Sequence, residues 1–266
     1  MINKKLFLSY SSIKIFLNCK RRFKLKYIDK ITAAQPISSK YISFGESIHR
    51  ALGQFNMITD ENHRTLDNLH ILLRRNWVRK GYNTLEEERS FGIKGLEMLA
   101  NYHHDPKDIG KRLIIEEMVK KDLNNGFVLC GKLDAAFTRS DDLLEVTDYK
   151  TGCSIDPIDK LQLSVYVLLT SERLGQYPQV VSNYYLAHND KSEMLVDEGY
   201  IEQNYHFINT ICENIRIEND YPCTPTPYCE RNCEYYENCE AAKDKNNIII
   251  NELKIHVLHS NDKLIF

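Results

Sequence analysis

The residues with the clearest chemistry lie in the stretch GKLDAAFTRSDDLLEVTDYKTG, Gly131 to Gly152. Asp134 sits in one apolar, strand-like run, Asp148 and Lys150 sit in the next, and the turn-forming TRSDD separates them. Side chains alternate faces along a strand, so Asp148 and Lys150 project from the same side, together with Val146. If TRSDD is a five-residue connection, Phe137 pairs with Leu143 and Lys132 falls opposite Asp148. Asp134 is then a same-face diagonal neighbour of Asp148, roughly 7–8 Å away between backbones. Two carboxylates so placed can converge on one ion, and hard oxygen ligands suit Mg2+ or Mn2+. Lys150 supplies positive charge beside them, for an attacking water or a pentacovalent phosphate. A D-x-K tripeptide alone is weak, since an exposed Asp–Lys pair on a strand is usually decoration. The second carboxylate at compatible parity and the glycine-bearing exit TG favour the functional reading.

A second group of reactive side chains is the cysteines. Five of the eight fall between Cys212 and Cys239, most of them in CTPTPYCERNCEYYENC. In an intracellular protein such density points to metal binding rather than disulfides. Cys223, Cys229, Cys233 and Cys239 form a local set that would make a self-contained zinc knuckle. Cys130 and Cys153, which flank the active-site strands, and Cys212, on a helical segment, read as packing residues.

These groups must be positioned by a chain of 266 residues, 42% hydrophobic and 10% aromatic, enough to bury one large core with an appendage. The opening MINKKLFLSY has only a short apolar run with no cleavage pattern, and no uncharged apolar stretch approaches membrane-spanning length, so a soluble, cytoplasmic protein is expected. A net charge of -2 excludes a global polycation. Local basic runs remain at KRRFKLK (Lys20 to Lys26) and RRNWVRK (Arg74 to Lys80), each readable as a solvated helix face or a nucleic-acid contact.

Periodicity gives the elements. SYSSIKIFLNCKRRFKLKY reads as one helix, and Ser43 followed by Glu46 reads as a capping box opening a second, FGESIHRALGQF, with His49 in its second turn. Thr65 to His104 is helical with a break near Gly81; His103 and His104 read as surface. Period two follows in RLIIEEMVKKDL, FVLCGKLDAAF and LLEVTDYKT, predicting three antiparallel strands. A helix (DKLQLSVYVLLTSERLG), a strand (QVVSNYYLA) and a helix from about Ile201 complete an α/β (α+β) fold of order αβββαβ. A short apolar run, IIINELKIHVL, ends the chain. There is no Walker glycine loop and no GxSxG elbow, which disfavours ATP hydrolysis and serine-hydrolase chemistry.

GKLD followed by DYKTG, with GESIHRAL upstream and QLSVY downstream, resembles the PD-(D/E)xK nuclease superfamily, specifically its RecB-type exonuclease branch. The resemblance covers most of the chain and implies a restriction-endonuclease-like core with a helical insertion. It implies a metal-binding His49, metal-binding Asp134 and Asp148, the backbone carbonyl of Tyr149 as a further ligand, and a catalytic Lys150. Gln162 and Tyr166, one helical turn apart, would align the lysine or the DNA backbone. Glu117 falls where the family often has an acidic residue, with Glu116 beside it as the other choice. The resemblance also offers a second ligand set, Cys19 with Cys229, Cys233 and Cys239 around a [4Fe-4S] cluster, since FLNCKRRFKLKY resembles the family's FxxCPxxFxxxY. Lys20 stands where the proline is usual, and Cys229 and Cys233 are spaced C-x3-C where C-x2-C is commoner. Such a cluster would staple the two ends of the chain together, and zinc on the local set is the alternative.

The organisation expected from this is a nuclease domain over residues 1–222, with its insertion at about 60–110 and its catalytic core at about 111–187. A cysteine-rich iron–sulfur segment over 223–243, completed by Cys19, and a tail over 244–266 follow. The expected activity is Mg- or Mn-dependent exonucleolytic cleavage of DNA, with free single-stranded ends as substrate. CRISPR adaptation, helicase-linked repair and recombination, and phage replication are the settings the resemblance allows, with CRISPR-adaptation or helicase proteins as partners and no membrane. Genomic neighbours would separate them. The competing class is a non-catalytic DNA-binding or scaffold module with a four-cysteine zinc knuckle, whose signature would be erosion of Asp134, Asp148 or Lys150.

Overall fold

Alternating apolar residues in the middle of the chain build a sheet, and helices before and after it cover both faces. A computed structural model describes residues 5–33, 39–157 and 159–244. Along the chain these form β1 (Leu6–Leu8), α1 (Tyr10–Asn18), α2 (Lys20–Phe23), α3 (Lys40–Asn56), α4 (Leu66–Arg75), α5 (Leu85–His104), β2 (Lys111–Asp122), β3 (Phe127–Thr138) and β4 (Leu144–Lys150). Then come α6 (Lys160–Leu174), β5 (Val180–Tyr185), β6 (Asp190–Leu195), α7 (Glu198–Ile217), α8 (Cys229–Asn232) and α9 (Glu240–Lys243). The described residues divide into two compact units, 5–10 with 39–209 and 11–33 with 210–244. IIINELKIHVL and nearly all of the expected tail lie outside the described residues.

The first unit holds the sheet and has the predicted αβββαβ order in a mixed α/β fold. β2 and β3 pair antiparallel across a turn in which Asn124 and Gly126 take left-handed backbone angles, φ 58° and 88°. β4 returns antiparallel to β3, and β5 lies parallel to β4. Parallel neighbours need a crossover, and α6 supplies it. The Asp159 carboxylate caps α6 by accepting from the amides of Leu161 and Gln162, and Gly175 ends it at φ 73°.

Two strands join the predicted set. β1 runs parallel to the start of β3, and β6 adds antiparallel to β5 as a polar edge strand. β1 and β4 share one edge of β3, at Phe127–Leu129 and at Ala135–Thr138, while β2 occupies the other edge. Between those two stretches the backbone of β3 around Asp134 has no ladder partner on that side, which opens the sheet where the chemistry is predicted.

Two predicted details change. Thr138 still pairs, with Leu144, so Phe137 meets Glu145 rather than Leu143. The connection therefore starts one residue later and the register moves by two. Parity survives a shift of two, so every side chain keeps its face. Carried one step beyond Ala135–Thr147, this register sets Asp134 directly opposite Asp148, not on its diagonal. Ser43 does not start α3 either. Ser39 is the cap, its hydroxyl accepting from the Tyr41 amide at 3.2 Å, and Ser43 is buried a turn inside the helix.

Apolar residues of α3 (Phe44, Ile48, Leu52, Phe55) pack with Leu69 and Leu73 of α4, Leu99 and Tyr102 of α5, and Ala135, Tyr149 and Tyr184 of the sheet. α4 and α5 occupy the expected helical insertion, capped by Thr65 and Thr84 and separated by Gly81 at φ 91°. α6 packs on β2 and β3 and is buried continuously from Leu163 to Thr170.

In the second unit the predicted long N-terminal helix is broken. Cys19 adopts an extended conformation, φ -157°, between α1 and α2, and α2 runs on into a π-helical turn, Lys24–Ile28. The basic run that follows Cys19 is neither a free nucleic-acid contact nor a merely solvated face. Arg22 and Lys26 both pair with the buried Glu234, Lys20 pairs with Glu218, and the Arg21 amide donates to the Pro222 carbonyl at 3.1 Å. These contacts tie the two chain segments of the unit together. Among the described residues, no helix is long and apolar enough to cross a membrane.

Candidate active site

His49, Glu116 and Asp134 meet in the first unit. Nδ1 of His49 lies 3.2 Å from Glu116 Oε1 and 3.2 Å from Asp134 Oδ1, while its Nε2 lies 3.0 Å from the Tyr149 carbonyl. A carbonyl only accepts, so Nε2 carries a proton; Nδ1 faces two carboxylates and carries another. The ring is an imidazolium. Burial opposes that charge, but Asp134 and Glu116 outweigh it and raise the His49 pKa well above its ordinary value. Burial, with Asp148 and Glu116 nearby and His49 opposing, pushes the Asp134 carboxyl up to about 6.

Glu116, not Glu117, is the acidic residue of β2 that reaches this group. The β2–β3 register slips by one between Arg112 and Ile114, and Glu116 takes φ +48° in mid-strand. A bulky residue in left-handed backbone costs on the order of 1–3 kcal/mol and persists only where its surroundings hold it. Lys132 pairs with Oε2 of Glu116. α3 must also lie close: a Cβ on Gly53 would sit 2.5 Å from Glu116 Cγ, so only glycine leaves room for the carboxylate. Glu117 points to the opposite face of the sheet, where it pairs with Arg173 of α6. The register running from the turn, with Glu117 opposite Leu133 and Ile115 opposite Ala135, places Glu116 beside Asp134 on its face, so alternation counted from the turn separates the two glutamates.

Asp148 and Lys150 form a second group beside the first. Asp148 Oδ2 pairs with Lys150 Nζ at 2.6 Å. Asp148 Oδ1 accepts from the Tyr166 hydroxyl at 2.9 Å and from Gln162 Nε2, and Gln162 Oε1 accepts from Lys150 Nζ at 2.6 Å. Gln162 therefore bridges the carboxylate and the ammonium, and with Tyr166 one turn further along α6 it fixes both. Burial, followed by the charges of Asp134 and Asp148, keeps the Tyr166 hydroxyl protonated as a donor. Tyr149 links the two groups: its amide donates to Asp134 Oδ2 at 2.9 Å, in the gap where β3 lacks a ladder partner, and its carbonyl faces His49. The predicted residues His49, Asp134, Asp148, Tyr149, Lys150, Gln162 and Tyr166 are all in this one region, with Asp148 engaged by α6 rather than in the His49–Glu116–Asp134 group.

The chemistry of the donor set fits a divalent cation: two carboxylates and the imidazole Nδ1 can reach one point, with the Tyr149 carbonyl on the ring's other nitrogen. An imidazolium already balances the carboxylates, so the set is arranged to hold positive charge, and a cation would bind by displacing protons.

In the second unit, Cys19, Cys223, Cys229, Cys233 and Cys239 line one cavity of about 450 Å3. The structure thus brings together both predicted ligand sets. The Cys239 thiol donates to Cys223 Sγ at 3.3 Å, and Cys229 Sγ accepts from the Thr226 amide at 3.2 Å. Cys223 donates to Cys19 and, against the cost of burial and with help from backbone amides of Thr224, Arg22 and Arg21, lowers the Cys19 pKa to about 5. A lowered pKa favours the thiolate of Cys19, the form that ligates metals. Cys212 is fully buried as expected, whereas Cys153 is exposed and packs nothing.

The sequence profile of the PD-(D/E)XK nuclease superfamily matches residues 7–240, and the chain belongs to that superfamily. A solved structure from Eubacterium rectale, assigned provisionally as an exonuclease, is similar with a TM-score of 0.52 and 14% identity, covering 89% of this chain and 87% of that one. The solved chain SSO0001 is similar at a TM-score of 0.40 and 12% identity, over 91% of this chain and 89% of its own. No curated protein matches.

Proposed function

We propose that this nuclease is a Mg2+- or Mn2+-dependent DNA exonuclease of the RecB type that acts at single-stranded ends. The observation that carries the reading is the convergence of His49, Glu116 and Asp134 next to the Lys150–Asp148–Gln162 group. Glu116, Asp134, Asp148 and His49 would hold the cation, which would supply Lewis-acid stabilisation of the phosphate and its leaving oxygen. Lys150 contributes the positive charge nearest the developing phosphorane, and Gln162 keeps its Nζ aimed. Tyr166 fixes Asp148 from behind. The five thiols lining one cavity favour a [4Fe-4S] cluster on Cys19, Cys229, Cys233 and Cys239, with Cys223 hydrogen-bonded to Cys19 and Cys239.

End-labelled single-stranded DNA incubated with Mn2+ should be shortened progressively from an end, and excess EDTA should stop it. Cleavage that persists in EDTA, or internal cuts on a circular single strand at the same rate, would remove the exonuclease reading.

A further inference from the structure

The two basic runs of the sequence end differently in the structure. Lys20, Arg22 and Lys26 of the first are taken up by Glu218 and Glu234. The second keeps its charge. Arg74, Arg75, Arg79 and Lys80 are all exposed, as is Arg89 of α5. Arg79 comes only within 3.8 Å of Glu88, and among the described residues no acidic group pairs with Arg74, Arg75, Lys80 or Arg89. Arg74 and Arg75 close α4, where a cation suits the helix dipole, so the helix by itself would account for those two. It does not account for the others. Arg79 and Lys80 lie past the helix, and Arg89 stands near the start of α5, the end whose dipole favours anions. Cations of one sign gathered without counter-charge attract a polyanion.

Arg74, Arg79 and Arg89 line one open groove of about 730 Å3 in the first unit. Leu85 and Ile93 present exposed apolar side chains to it, and a Cβ added at Gly92 would meet nothing within 4 Å. Glu88, the acid among its lining residues, already accepts from Trp77 Nε1 at 2.9 Å. Asn76, inside the run, donates to Gln54 of α3 at 2.9 Å and lines a smaller pocket together with Glu116 and Lys132. The run therefore begins beside the carboxylate proposed to hold the metal. We propose that this groove binds a single-stranded DNA segment extending from the reaction site, its phosphates on Arg74, Arg79 and Arg89 and its bases against Leu85 and Ile93. The nature of the strand rests on the DNA-nuclease reading. An acidic peptide would meet the same arginines, but the pocket shared by Asn76 and Glu116 favours the strand. Trp77 is already stacked on Tyr82, ring centroids 5.7 Å apart and planes 11° from parallel, so the groove offers aliphatic surface and binding should not depend on base sequence.

The test is made on the full chain in EDTA, so that binding is read without cleavage. Fluorescence anisotropy follows labelled oligo(dT) and oligo(dA) of about 20 nucleotides over a salt series. The wild type is compared with Arg74→Gln/Arg79→Gln/Arg89→Gln and with a control, Lys111→Gln/Lys120→Gln, at exposed lysines of β2. The arginine variant should remain folded by circular dichroism and bind both strands at least about tenfold more weakly, with the slope of log affinity against log salt reduced by about 2. The control should bind as the wild type does. The proposal is overturned if the wild type binds neither strand, if the arginine variant keeps wild-type affinity and slope, or if the lysine control loses as much affinity per charge removed. It is overturned also if poly-L-glutamate displaces the strand as readily as unlabelled oligo(dT) does, which would make the groove a site for acidic protein. Because binding is measured without metal, this result stands apart from whether the wild type cuts DNA in Mn2+.

Discussion

The carboxylate site and the cysteine cavity are built in opposite ways. The first is made by a sheet: Glu116, Asp134, Asp148 and Lys150 come from three adjacent strands, and hydrogen bonds from Tyr149, Gln162 and Tyr166 hold them before any ligand arrives. The second is made by loops and four-residue helices whose thiols are satisfied chiefly by one another and by nearby amides. A site carried by a packed scaffold needs its ligand for chemistry. A site carried by short segments needs its ligand for structure.

The largest effect should be on catalysis without a change in fold. Lys150→Ala leaves Asp148 paired with Tyr166 and Gln162, so DNA cleavage should fall about 10²–10³-fold while the thermal midpoint stays near wild type. Asp134→Ala should lose at least as much, because it removes a proposed ligand and the acceptor for the Tyr149 amide. A Lys150→Ala enzyme that cuts at the wild-type rate would break the carboxylate half of the comparison.

The converse belongs to the cysteines. Anaerobically purified protein should be brown, and Cys19→Ser should lose iron and thermal stability together, since Cys19 and Cys239 belong to segments far apart in sequence. Cys223→Ser should keep both iron and colour. Colourless wild-type protein that binds zinc, with Cys223 required and Cys19 dispensable, would establish the local knuckle instead.

Much of the carboxylate site is legible in the sequence because a strand has a period of two: parity alone puts Asp134, Asp148 and Lys150 on one face, and it survives a register shift of two. What parity cannot show is an irregularity. The slip between Arg112 and Ile114 and the positive φ at Glu116, where Gly53 of α3 lies against the glutamate side chain, leave no mark in the pattern of alternation. The cysteine region is legible in composition but not in shape, because helical periodicity runs straight through Cys19 where the backbone breaks. β1 escapes a reading of pattern because three residues carry too little of it, although their partners on β3 are strongly apolar.

A smaller effect sharpens the role of that irregularity. Gly53→Ala should displace the Glu116 carboxylate and weaken Mn2+ binding about tenfold, read by titration, with little change in the affinity of the cysteine site for iron. Unchanged Mn2+ affinity would mean that Glu116 does not hold the metal.

The smallest expected effect is a difference of sign with pH. In metal-free, cluster-free, reduced protein, burial and neighbouring carboxylates push Asp134 up to about 6. Burial opposes charge on His49, yet Asp134 and Glu116 raise it well above its ordinary value. Both folded pKa values exceed the unfolded ones, about 3.9 and 6.5. The folded state therefore holds more protons, and the stability these groups contribute is fully present below the unfolded values. It is lost as pH rises, for Asp134 between roughly 4 and 6 and for His49 from about 6.5 upward. Cys19 runs the other way. Its partner Cys223 holds it down to about 5, below the unfolded thiol value of about 8.5, so its contribution is present above that value and is lost as pH falls toward 5. His49→Gln should therefore flatten the decline in thermal midpoint between about pH 6 and 8, whereas Cys19→Ser should steepen it. Mn2+ held at the proposed site would displace its protons, so the stabilisation it confers should grow with pH over the same range. If His49→Gln and Cys19→Ser shift the pH profile in the same direction, the two sites do not differ in the way their geometry requires.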